Sequence, residues 1–303
     1  MSSNSESTGA ILAALFANLA IAAVKTVGAI LSGSASLLAE AIHSYVDCAN
    51  QFLLLVGQKA SKKPPSDSHP LGYGREAFFW SFIVAILLFS MGGVFSIYEG
   101  VHKLGVNEPL ESPGLSLAIL VAAIALESYA LVACLKQIKL HNPYGSLWKW
   151  FRKTTNSELL VLLTEDLAAI CGLALATCAI SIAWLTENPM WDALGSVLIG
   201  LLLCSVTVLL GVEIKSLIIG EAPNRELRDQ LQNIFSSHLS DSEILRFLAL
   251  QTGSNEVLVS LKIKPGNIAN VKELIERINS AEKEVKLKHP EIKWLFVEPD
   301  YYA

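Results

Sequence analysis

Between Leu37 and Gln51 the chain reads Leu-Leu-Ala-Glu-Ala-Ile-His-Ser-Tyr-Val-Asp-Cys-Ala-Asn-Gln. Wound as a helix, Glu40, His43, Asp47, Asn50 and Gln51 fall within about 100° of arc, one polar stripe on an otherwise apolar rod. His43 and Asp47 are one turn apart, so an imidazole and a carboxylate can converge on one ion. The competing reading is interhelical hydrogen bonding that holds a helix bundle together. For Ser44, Asn50 and Gln51 that reading is preferred. For His43 with Asp47 a ligand role is preferred, because two ionisable groups in an apolar setting are expensive glue: each costs ~2.5–3.5 kcal/mol at a bilayer centre on insertion scales.

Other polar residues stand in similar surroundings. Glu165 and Asp166 sit in Val-Leu-Leu-Thr-Glu-Asp-Leu-Ala-Ala, and neighbours on a helix point about 100° apart, so at most one of them joins a site with His43 and Asp47. Spacing does not decide which. Glu127, in Ala-Leu-Glu-Ser-Tyr-Ala, divides evenly between structure and function. Asp192 reads as a helix cap at the membrane surface. Lys25 either snorkels to the nearer end of its helix or pairs with a carboxylate.

The elements that position these residues follow from composition. Hydrophobic residues make up 52% of the 303 and charged residues 17%, against about a quarter charged in a soluble domain. That pattern places the chain in a membrane and excludes disorder, collagen and coiled coil. A formal net charge of -5 argues against a nucleic-acid-binding surface. Of the 51 charged residues 24 lie in the last 83, so the expected division is a transmembrane domain over 1–219 and a water-soluble domain over 220–303. The five cysteines show no CxxC spacing and read as small buried hydrophobes, with no disulfide framework.

A bilayer-spanning helix needs ~20 mainly apolar residues, and six segments qualify: 9–31, 35–58, 77–102, 114–137, 158–185 and 190–218. The first lacks a basic leader and runs too long for a signal-peptide core, so it reads as a retained span. Turn chemistry separates the segments, at Gly33-Ser34, Pro64-Pro65 with Gly72 and Gly74, Pro113, Pro143 with Gly145, and Pro189. Lys59, Lys62, Lys63 and Arg75 follow the second span, and Lys136, Lys139, Lys149, Arg152 and Lys153 the fourth, whereas the opposite loops hold little beyond Lys103. Both termini are therefore expected in the cytoplasm, with a bacterial plasma membrane as the location. The tail reads helix (224–238), strand (244–251), strand (256–264), helix (270–286), strand (292–297), with a turn at 252–255. That order suits a small α+β, ferredoxin-like layer of sheet and helices, helped by a dimer contact.

Six spans followed by such a tail resemble the cation diffusion facilitator family of proton-coupled divalent-metal exporters. Gly-Ser-Ala-Ser-Leu-Leu-Ala-Glu-Ala-Ile-His-Ser-Tyr-Val-Asp (33–47) is similar to its second-span signature, His-Pro-Leu-Gly-Tyr-Gly-Arg-Glu (69–76) to the following loop, and Trp191-Asp192-Ala193 with Gly195-Ser196 and Ile199-Gly200 to its sixth span. The zinc transporter nine branch is the most similar. The resemblance implies a homodimer that exports a divalent cation, Zn²⁺ first, in exchange for protons by alternating access, with no cofactor beyond the transported ion. It implies His43, Asp47 and Asp166 as transport-site ligands, with Leu162 where the family usually supplies a fourth. Glu40, Glu165 and Glu127 are then auxiliary ligand or proton sites. Asp67 and His69 remain of a loop metal site in which Tyr73 replaces a frequent His. In the tail, Ser260 and Phe296 replace ligands and only Glu298 remains, implying dimerisation without a full binuclear site and solvated His238 and His289. His plus carboxylates suit Zn²⁺, and a more oxygen-rich shell suits Mn²⁺, Fe²⁺ or Co²⁺. From the residues alone, a proton-independent cation channel and a non-transporting scaffold stay open. A metalloenzyme is disfavoured by the lack of an HExxH or similar motif.

Overall fold

Helix α1 (Ser3–Ser32) ends where Gly33 takes a left-handed φ of +66°, a conformation that lets its N–H reach back to Ala29 O at 2.9 Å and turn the chain at once into α2 (Ala35–Ser61). The computed structural model describes residues 3–105, 109–141, 145–154, 156–223, 226–239, 242–254, 256–266 and 270–302. The turn residues Pro143 and Asn255 and the first two residues of the expected 224–238 helix lie outside the described residues.

The third apolar segment is one continuous rod, Glu76–Leu104, made of α3 (Glu76–Leu87), a π-helical turn over Leu88–Val94 and α4 (Phe95–Leu104). Then follow α5 (Pro113–His141), the short α6 (Leu147–Lys153), α7 (Ser157–Thr186) and α8 (Met190–Ile219). Each of the six apolar segments lies in a helix. Four rods, Glu76–Leu104, Pro113–Leu140, Ser157–Thr186 and Met190–Ile219, are long and apolar enough to cross a membrane. Helix α2 carries the polar stripe, and the apolar stretch described in α1, Asn18–Ser32, is shorter.

The chain divides into two compact units, described separately. The first takes Met1–Val56, Trp80–Phe151 and Glu158–Ile214. Its core joins Leu37, Leu120, Leu173, Ile180, Ile199 and Leu203, drawn from α2, α5, α7 and α8. Glycines set the closest approaches: a Cβ on Gly100 would meet Ala193 O at 2.7 Å, and one on Gly200 would meet Gly93 O at 2.6 Å. Where lipid replaces water there is little hydrophobic drive between helices, and such backbone proximity provides the packing instead. Of the cysteines, Cys48 and Cys134 are buried as expected. Cys171 and Cys178 are exposed, because they lie on the face of α7 that this packing leaves open.

The second unit takes Gly57–Phe79, Arg152–Ser157 and Lys215–Ala303. Its elements are α9 (Glu226–His238), β1 (Glu243–Gly253), β2 (Glu256–Lys264), α10 (Val271–Lys288) and β3 (Ile292–Pro299). Strand β2 is central, antiparallel to β1 and parallel to β3. Alternation places Val257, Val259, Leu261 and Ile263 against Leu231 and Phe235 of α9 and Ile278, Ala281 and Val285 of α10. Asn270 caps α10, its side chain accepting from Glu273 N at 2.9 Å. Gly74 lies against Thr252 and Gly253, where a Cβ on Gly74 would meet Thr252 O at 2.5 Å.

After β3, Asp300 accepts from Lys262 Nζ at 2.7 Å and from Tyr301 N at 2.7 Å. These bonds hold its carboxyl below the usual carboxylate range, Lys262 first. Such a group stabilises the fold fully above the unfolded-state carboxylate range, and the contribution is lost as pH falls through the lower folded-state value. In a variant keeping Trp294 as its only tryptophan, the urea midpoint should fall on acidification, and Asp300→Asn should flatten that acid limb while lowering the neutral plateau.

Candidate metal centre

Every ionisable group of the α2 stripe is held inside the first unit, and each finds its surroundings on a different helix. Glu40 is 0% and His43 1% exposed, with Asp47 and Asn50 also buried. Lys25 of α1, itself 1% exposed, donates to Ser44 Oγ at 2.8 Å and lies 3.4 Å from Glu40 Oε2. It does not snorkel: its ammonium is turned inward to a carboxylate.

Helix α7 faces the stripe with Glu165. Asn50 Nδ2 donates to Glu165 Oε1 at 3.1 Å, and the Asp47 and Glu165 carboxyls are close enough to interact. Seven residues further along α7, on the same face, Gly172 opposes Glu40, and a Cβ there would collide with Glu40 Oε1. Because 165 pairs with 50 and 172 with 40, the two helices run antiparallel. Of the two adjacent carboxylates, the structure therefore brings Glu165 to Asp47, while half-buried Asp166 lies within electrostatic range of Cys134 on α5. Leu162 is half-buried. Glu127 of α5 lies within electrostatic range of Glu40, Asp47, Glu165 and Asp166.

His43 Nδ1 is 3.7 Å from Asp47 Oδ1, too long for a hydrogen bond. Both His43 ring nitrogens, Asp47 Oδ1, Glu165 Oε2, Asn50 Oδ1 and Glu40 Oε1 are buried without a hydrogen-bond partner. Buried polar atoms are ordinarily satisfied, and a native group left over calls for a reason. As placed, no three His, Cys, Asp or Glu among the described residues close on a single point. The arrangement is a set of neighbouring unpaired donors, chemically of the kind that hold a divalent cation.

Two features had little or no signal in the sequence. The π-helical turn of Leu88–Val94 brings Gly92 towards the imidazole, so that a Cβ there would lie 3.8 Å from His43 Nδ1. Such turns concentrate at functional sites, and the only hint was Ser90 with Gly92-Gly93 inside an apolar run. The second is Asp192, which does not cap its own helix. It reaches across to the start of α2, accepting from Ala35 N at 2.6 Å, Ser36 N at 3.2 Å and Ser34 Oγ at 2.8 Å, while Ser36 Oγ donates to Asp192 O. The free N–H groups of a helix N-terminus favour an anion, and this one fixes the end of the rod that carries the stripe.

The loop and tail candidates belong to the second unit. Asp67 and His69 are exposed in a tight turn where Ser66 and His69 exchange backbone hydrogen bonds. His69 Nδ1 lies 3.0 Å from Ser68 Oγ, and its ring packs on Tyr73 with centroids 4.4 Å apart. In the tail, His238 and His289 are paired rather than free in solvent: His238 Nε2 is 2.6 Å from Glu284 Oε2 and His289 Nδ1 is 3.1 Å from Glu291 Oε1. Both lie between elements that bring an acid within reach, which their polar sequence surroundings did not show.

Comparison with known proteins adds one family and several relatives. The family model described as the cation efflux transmembrane domain matches residues 11–219. A metal tolerance protein of Arabidopsis thaliana is 30% identical over 70% of this chain and 47% of its own length. The mitochondrial proton-coupled zinc antiporter of Homo sapiens is 34% identical over 60% of this chain and 32% of its own. A zinc transporter of Escherichia coli is 29% identical over 71% and 67%. The chain thus covers less than half the length of the plant and human relatives.

Removing the Asp192 carboxylate strips three donors of their acceptor in a buried setting, a loss of about 2 kcal/mol for charge-assisted bonds of this kind. Asp192→Ala should lower the thermal unfolding midpoint of the purified protein clearly, and Asp192→Asn, which keeps an acceptor, should lower it less.

Proposed function

Because the chain belongs to the cation efflux family of cation diffusion facilitators, we propose that it exports a divalent cation, Zn²⁺ first, from the cytoplasm in exchange for protons. The observation that carries the reading is the set of buried, unpaired donors on α2 and α7. An apolar interior tolerates such atoms when a ligand completes them, and imidazole with carboxylates is the donor chemistry of Zn²⁺. His43 and Asp47 supply the α2 ligands. From α7, Asp166 is the position the family pattern selects, and Glu165 is the one in contact with Asp47; in this reading both carboxylates serve the site, one binding the ion while the other, with Glu127, sets the local charge. Four strongly apolar rods, with α1 and α2 completing six crossings, and the Lys and Arg in the loops after α2 and α5 support a topology with both termini in the cytoplasm.

Proton exchange follows from the ligand types. A ligating imidazole must be unprotonated and a carboxylate ionised, so metal entry displaces protons and metal release readmits them. Alternating access by rocking of helices about a fixed midplane site is the transport cycle this implies. A second reading, Mn²⁺, Fe²⁺ or Co²⁺ as cargo, is favoured by the oxygen content of the group: Glu165 and Asn50 add oxygen beside His43 and Asp47.

In proteoliposomes the protein should carry Zn²⁺ faster than Mn²⁺, Fe²⁺ or Co²⁺, with flux that rises with an opposing proton gradient and stops when a protonophore collapses it. His43→Ala should reduce that flux at least a hundredfold. Flux indifferent to the proton gradient would identify a channel, no metal flux in any variant a scaffold, and full flux in His43→Ala would remove His43 from the site.

The tail supports a homodimer. The sheet face opposite α9 and α10 presents Leu248, Leu258, Trp294 and Phe296, with Leu248 52% and Phe296 54% exposed. An exposed face of this kind, apolar residues beside Ser260, Lys262 and Glu298, can be matched by a second copy of itself about a twofold axis. Phe296→Glu should shift the purified protein from dimer towards monomer in sedimentation velocity without unfolding the tail.

A further inference from the structure

Lys25 is the buried cation that the transport reading does not use. Its ammonium enters the interior from α1 and takes one oxygen of Glu40, while the other oxygen of Glu40 stays without a partner beside Gly172. Glu40 stands one turn before His43 and two turns before Asp47 on the same face of α2. Apart from Lys25, it has the qualifications of a ligand: full burial, a free oxygen and the right face.

A buried ion pair is a poor means of stabilising a bundle. Replacing such a pair by apolar residues of similar volume is often neutral or stabilising, whereas removing one partner leaves a buried charge. Lys25 also borders an open apolar groove of about 410 Å³ between α1 and α5, lined by Ala20, Val24, Ala118, Ala122 and Leu126. Helix packing alone therefore gives no reason for a lysine here.

We propose that Lys25 is a tethered counter-cation that withholds Glu40 from the transported ion and so sets the affinity and single-ion occupancy of the site. The inference rests on the transport reading above. With the ammonium in place, Glu40 is neutralised, and an ion held by His43 and Asp47 meets a fixed positive charge about a turn away. Both effects weaken binding and favour release. Without it, Glu40 becomes an additional anionic ligand and the ion is held too tightly to leave. Lys25 is thus a positioning residue that sets affinity by touching a ligand position rather than the cargo.

The test is equilibrium binding of Zn²⁺ to the purified full chain, by competition with a fluorescent chelator, alongside flux in proteoliposomes. Lys25→Met should bind Zn²⁺ at least tenfold tighter, with KM and maximal flux both reduced. Glu40→Gln, which leaves the ammonium unbalanced, should bind about tenfold weaker. Lys25→Met/Glu40→Gln, neutral like the native pair, should return to within threefold of wild type, the strong coupling expected of groups in direct contact. If Lys25→Met does not fold, the double variant against Glu40→Gln decides: the double must bind at least tenfold tighter. Equal affinity across the set, with changes only in thermal stability, would make Lys25 structural and overturn the inference. A wild-type protein that binds no Zn²⁺ would instead defeat the transport reading itself.

Discussion

Helix α2 places Glu40, His43 and Asp47 within eight residues, in surroundings where each ionisable group costs a few kcal/mol unless something on another helix compensates it. The compensation arrives from three directions. Lys25 comes from α1, Glu165 and Asn50 meet between α7 and α2, and Asp192 of α8 takes the N–H groups at the start of the helix. Nothing in the polar stripe is satisfied by α2 itself. The position of α2 is therefore set by its charges as much as by its apolar face, and the neighbouring helices are held where those charges require them.

Small residues make that arrangement possible. Carboxylates reach partners across a helix interface only if the backbones approach closely, and Gly172 removes the one atom that would collide with Glu40. Gly195 does the same for α8, where a Cβ would meet Ser36 Oγ at 2.7 Å. On the other side, Gly93 and Gly100 bring the Glu76–Leu104 rod against α8, and the π-helical turn places Gly92 near His43. A π turn leaves the regular hydrogen-bond ladder by one residue, so it is a place where a rod can change register at modest cost.

Periodicity in the sequence was enough to find the helices and the face of α2 that matters, because both depend on the chain's own repeat. The strands were legible for the same reason: Val257, Val259, Leu261 and Ile263 alternate as a half-buried strand must. What periodicity does not carry is the identity of a neighbour. Glu165 and Asp166 differ by 100° on one rod, and only the placement of α7 against α2 decides that Glu165 meets Asp47. Asp192 has the position of a cap for its own helix, and its actual partner is 157 residues away at Ala35. The same holds for Lys25: the sequence allowed either snorkelling or a carboxylate partner, and only the placement of α1 against α2 gives it Glu40.

The position of Leu162 shows how these constraints act together. The family pattern expects a ligand there, four residues before Asp166, and this chain supplies a half-buried aliphatic group instead. Glu165 lies three residues further along, on the same side of α7, and it is the side chain that contacts Asp47 and Asn50. In the proposed site, Glu165 thus offers a carboxylate one turn on from Leu162, within electrostatic reach of Asp47. Carboxylates this near one another in an apolar setting repel unless a positive charge or a proton offsets them. The fixed ammonium of Lys25, 3.4 Å from Glu40, offsets part of that repulsion, and in the proposed cycle protons or the transported ion offset the rest. If the proposed site holds, the aliphatic residue at 162, the acid at 165 and the buried lysine at 25 act together on its local charge.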